Sequence, residues 1–119
     1  MLKIKTWCLP KLPQKKLNLL HQRIVDAVVR IPELGVKDEN DMLNLFPADL
    51  MNYGLGTEIA VEINGLPEKP EFSEDVCKNL TRGVGLVVKG MFPKANVESE
   101  ICQAGYSPSR WSSKEELCQ

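Results

Sequence analysis

The chain has 119 residues, 43% hydrophobic and 26% charged, with 15 basic against 16 acidic side chains and a formal net charge of −1. That length and composition fit one globular domain and leave too little chain for two ordinary ones. The charge balance provides neither the clustered basic surface that nucleic acid requires nor a polybasic membrane anchor, and no apolar run approaches the roughly 18–20 residues of a membrane span.

At the amino end, Met1-Leu2-Lys3-Ile4-Lys5 alternates apolar and charged residues and lacks the apolar core of a signal peptide, so a cytoplasmic location is expected. Residues 2–8 are predicted as a strand, with Leu2, Ile4 and Thr6 on one face and Lys3, Lys5 and Trp7 on the other. Leu17, Leu20, Ile24, Ala27, Val28 and Ile31 recur at helical steps, predicting an amphipathic helix that starts near Pro13 and stops before Pro32. A polar loop containing Gly35 and Lys37-Asp38-Glu39-Asn40 leads to a short strand, Met42 to Phe46, closed by Pro47.

Thr57 to Asn64 alternates Ile59, Val61 and Ile63 with Glu58, Ala60 and Glu62, the clearest strand pattern in the chain. A proline-rich loop follows. Ser73, with Glu74 and Asp75 behind it, predicts the N-terminus of a second helix carrying Val76, Leu80, Val84, Val87 and Met91 inward and ending near Gly90. Gly83 and Gly85 weaken that helix unless it packs closely on the sheet. Val97 to Cys102 is predicted as a fourth strand.

The order is thus β-α-β twice, about residues 1–47 and 57–104, forming one domain over 1–104 with a polar tail over 105–119. An offset of 57 places Leu2, Ile4 and Thr6 on Ile59, Val61 and Ile63 and Pro10 on Pro67, as an internal repeat would. The predicted architecture is α/β in two layers: a four-stranded mixed sheet with both helices on one face. The uncovered face, which carries Trp7, is expected to meet another copy of the chain. Cys8, Cys77, Cys102 and Cys118 form no Cys-x-x-Cys pair and His21 is the single histidine, so no metal site is expected and no cofactor is implied.

Three segments resemble the tautomerase superfamily, in particular its macrophage migration inhibitory factor-like members. They are Leu2 to Pro10, then Phe46-Pro47-Ala48-Asp49-Leu50-Met51-Asn52-Tyr53-Gly54, and finally Val97 fourteen residues ahead of Trp111-Ser112-Ser113. The resemblance spans about residues 1–112. It implies a homotrimer with small-molecule pockets between subunits, in which an amino-terminal proline is the acid or base. Here Met1 fills that proline's position, and the family's lysine after the first helix aligns at Val36, with Lys37 one residue away. The family's tyrosine and asparagine of the last strand align at Glu98 and Glu100, and the stretch Pro67 to Glu71 holds no arginine.

The expected pocket residues are therefore Met1, Lys37, Glu98, Glu100, Tyr53 and Trp111. Acidic groups there oppose carboxylate substrates, so a neutral or cationic ligand, or a pocket without chemistry, is expected. The expected function is that of a trimeric binding protein without proline-dependent keto-enol activity. The alternative is a weakly active isomerase using the Met1 amine or the Glu98/Glu100 pair. His21, at the border of the helix's apolar face, reads as a satisfied, partly buried histidine, and Cys8 has no motif partner for nucleophilic chemistry.

Overall fold

The computed structural model describes residues 1–47, 57–66, 73–103 and 106–114. Five strands form one sheet: β1 (Leu2–Trp7), β2 (Met42–Leu45), β3 (Glu58–Asn64), β4 (Asn96–Gln103) and β5 (Tyr106–Ser112). Two helices complete the fold, α1 (Gln14–Val29) and α2 (Glu74–Met91). The spatial order is β2-β1-β3-β4-β5, with β1 parallel to β2, β3 parallel to β4, and antiparallel pairing of β1 with β3 and β4 with β5. The class is α+β, on a mixed sheet.

The central pair of strands has a symmetric register. Ile4 pairs with Ile63 and Thr6 with Val61. The offset of 57 moves Ile4 onto Val61 and Thr6 onto Ile63, so it exchanges these two pairs with one another. In the helices the matching offset is 60: Leu20, Ile24 and Val28 fall on Leu80, Val84 and Val88, and all six are fully buried. A longer connection into α2 accounts for the difference between the two offsets.

Both helices cover the same sheet face. Alternation along each strand sends Leu2, Ile4, Ile59, Val61, Ile63, Val97 and Ile101 under the helices, where they join the α1 and α2 stripes in one continuous core. One row of this face runs Thr6, Val61, Ser99, Trp111 across four strands. The Thr6 and Ser99 hydroxyls are buried there without a hydrogen-bond partner among the described residues.

The sheet has five strands rather than four, because residues predicted as a polar tail form β5. Ser109 and Trp111 of β5 face α2. The Thr81 hydroxyl of α2 lies 3.0 Å from the Ser109 hydroxyl, and Ser113 Oγ accepts from the Val97 amide at 2.9 Å. Trp111 lies directly over Gly85, where any Cβ would enter the indole ring. Gly85 is thus the point of close helix-to-sheet approach that its place inside a helix demands. Gly83 has open space at its Cβ position and no such reason. Pro108 stands in β5, an outer strand of the sheet, where proline is admitted more readily than in a central strand.

Candidate functional site

The head of β1 opens onto a cleft of about 250 Å³, lined by Met1, Leu2, Leu34, Gly35, Val36, Asp41, Gly65 and Leu66. Three short segments meet there. Pro32–Leu34 is a single 3-10 turn after α1, terminated by Gly35 at φ +70. Glu39–Asp41 is a second such turn, capped where the Asp38 side chain accepts from the Asn40 amide. The third segment is the end of β3, where Gly65 takes φ +81 and packs so closely on Met1 that a Cβ would strike the Met1 carbonyl oxygen. Only glycine satisfies both conditions.

The cleft walls are apolar, with Leu2, Val36 and Leu66 buried and Leu34 half-buried. Met1 stands at the mouth, 74% exposed. Among the described residues Asp41 is the only lining residue with an ionisable side chain. Its Oδ2 accepts from the Lys37 amide at 2.9 Å, which fixes the direction of the carboxylate.

His21 holds the second turn in place. Its Nε2 lies 3.2 Å from Glu39 Oε2, and its Nδ1 lies 3.1 Å from Asn44 Nδ2 on β2. Each ring nitrogen thus has a polar neighbour, one on the turn and one on β2. His21 is a satisfied, partly buried group, as the sequence pattern predicts.

The expected pocket residues separate in the structure. Met1 and Val36 lie together in the cleft, but Lys37 lines a second cavity of about 310 Å³ with Gln22, Val25, Asp26, Val29, Asp38 and Glu39. Glu98 and Glu100 share one face of β4, as predicted, and that face is the uncovered one. Neither lines the Met1 cleft of its own chain. Arg110 of β5 donates to Glu98 Oε1 at 2.6 Å. Trp111 packs beneath α2, on the opposite face from the two glutamates. Tyr53 lies outside the described residues.

On the uncovered face the cross-strand register aligns Lys5, Glu62, Glu100 and Arg110 in one row, acidic in the middle and basic at both ends. Burial, followed by the Glu100 and Glu62 carboxylates, pushes the Cys102 thiol up, so this sulfur stays protonated near neutral pH and is a poor nucleophile. Among the described residues, no group of three or more His, Cys, Asp or Glu side chains is arranged to hold a metal ion, and no helix is long and apolar enough to cross a membrane.

Asp41 and Gly65 are the site residues that sequence reasoning missed. Gly65 carried a detectable signal, as a glycine directly after a strong strand, whereas Asp41 looked like one more polar loop residue. The scaffold is that of an α+β protein, two helices on a mixed five-stranded sheet, with an apolar cleft at the head of its first strand. No family model, curated protein or solved structure matches the chain.

Proposed function

We propose that this protein binds a small molecule in the cleft beside residue 1, on a tautomerase-like scaffold that assembles as a homotrimer with the cleft at a subunit boundary and has lost proline-dependent keto-enol chemistry. The observation that carries the reading is the position of Met1. It heads the first strand of a doubled β-α-β unit and lies at the mouth of an apolar cleft, where the resemblance calls for a proline. A methionine there offers no ring-held secondary amine, and the geometric control that proline-type acid-base catalysis needs is lost.

The reading predicts no enol-keto conversion of phenylpyruvate above the buffer rate, and a trimer in sedimentation equilibrium. A screen of small neutral and charged metabolites by thermal unfolding should find a stabilising ligand, since one present at a hundred times its Kd adds about 2.7 kcal/mol. A monomer that no compound stabilises would remove this reading. The alternative, a weak isomerase using the Met1 amine or Glu98 and Glu100, has less support, because Arg110 engages Glu98 on the open sheet face. Turnover of phenylpyruvate by the unmodified protein would revive it.

A further inference from the structure

We infer that the cleft at residue 1 selects ligands with a compact apolar body and a cationic group, and that Asp41 is the residue that makes this choice. This rests on the reading of the cleft as a binding site and goes beyond it by assigning the charge of the guest. The volume of about 250 Å³ equals roughly eight waters at liquid density, enough for a small aromatic or branched aliphatic body. Leu2, Leu34, Val36 and Leu66 offer that body an apolar wall and no side-chain hydrogen bond.

The charge of the guest is then set at the rim. Among the described residues Asp41 carries the only ionisable side chain in the lining, and one of its oxygens is already fixed by the Lys37 amide. Among the described residues that amide is its only hydrogen-bond donor, so the other oxygen is left for a guest. Lys37, Asp38 and Glu39 all line the neighbouring cavity, and Glu39 lies 3.2 Å from His21 Nε2, so Asp41 is the described side chain that sets the field at this rim. An ammonium on the ligand meets a complementary field at this rim, while a carboxylate meets a repulsive one.

Asp41 is exposed, so the selectivity is that of a solvent-screened pair: about three- to fivefold in Kd, falling as salt is raised. The test measures binding of phenethylamine, phenethyl alcohol and phenylpropionate by amide chemical-shift changes at Leu2, Gly35, Val36, Gly65 and Leu66. The amine should bind about three- to fivefold more tightly than the alcohol, and the carboxylate most weakly. Asp41→Asn retains an acceptor for the Lys37 amide and should bring amine and alcohol together, and Asp41→Lys should favour the carboxylate. Three results would overturn the inference: tighter binding of the carboxylate by the unmodified protein, which would give control to the Met1 nitrogen; an amine preference that survives in Asp41→Asn; or amine-induced shifts confined to Gln22, Asp26 and Val29 of the neighbouring cavity. If none of the three compounds moves the cleft amides, the cleft is not a binding site for such bodies and the proposed function falls with the inference. If the alcohol or carboxylate binds there best, only the charge assignment falls.

Discussion

The two β-α-β halves bury matching helical stripes on matching strands, yet they are supported very differently. In the second half α2 begins at Ser73, whose side chain accepts from the Val76 amide, with Glu74 and Asp75 in its first turn. It ends with Lys89 donating to the carbonyls of Pro93 and Ala95. Its outer strand β4 is eight residues long and is covered by β5. In the first half α1 starts at Pro13 with no side-chain cap and no acidic residue in its first turn. Its outer strand β2 has four residues and forms the sheet edge. The two cavities described above border the connection between α1 and β2, one with Met1 and the end of β3 and the other with α1 itself. The two halves match in their buried stripes and differ in the connections that line the cavities. Weakly braced connections are where a fold can vary its surface without disturbing the packing beneath.

This comparison can be broken most directly in the core. Leu20→Ala and Leu80→Ala remove matched, fully buried side chains, and each should cost about 2–5 kcal/mol in urea unfolding, with losses of similar size. A small loss at Leu20 beside a large one at Leu80 would show that the halves are not equivalent in packing. A lesser effect is expected at Gly85→Ala, where the new methyl enters the Trp111 ring and overpacking should cost about 1–3 kcal/mol by thermal unfolding. Next, Ser73→Ala removes the cap that α1 never had and should cost about 1 kcal/mol, with helix content measured by circular dichroism. The smallest effect has the opposite sign. Gly83→Ala, two residues from Gly85 but with open space at its Cβ, should stabilise by about 0.5–1 kcal/mol.

Much of the scaffold was legible because its signal is local. Alternation at Leu2, Ile4 and Thr6 and at Ile59, Val61 and Ile63, and helical spacing from Leu20 to Val28 and Leu80 to Val88, each fit within one element. β5 was not legible, because its inward residues are Ser109 and Trp111, and serine looks solvated until Thr81 meets it across the sheet. Arg110 was missed with it, and so was the engagement of Glu98. The cleft needs residues as distant as Met1, Asp41 and Gly65, and no periodicity links those. Lys37 was the natural candidate beside Val36, but a one-residue step along the loop puts it in another cavity.

The pairing of β1 with β3 also limits how this chain can misassemble. Leu2, Ile4 and Thr6 alternate with Lys3, Lys5 and Trp7, and Ile59, Val61 and Ile63 with Glu58, Ala60 and Glu62. Sliding either strand by one position would push lysines or glutamates into the dry layer and leave isoleucines in water. Neighbouring alignments of the two middle strands are therefore penalised from both sides at once, and a nascent sheet that closes wrongly has strong reason to reopen.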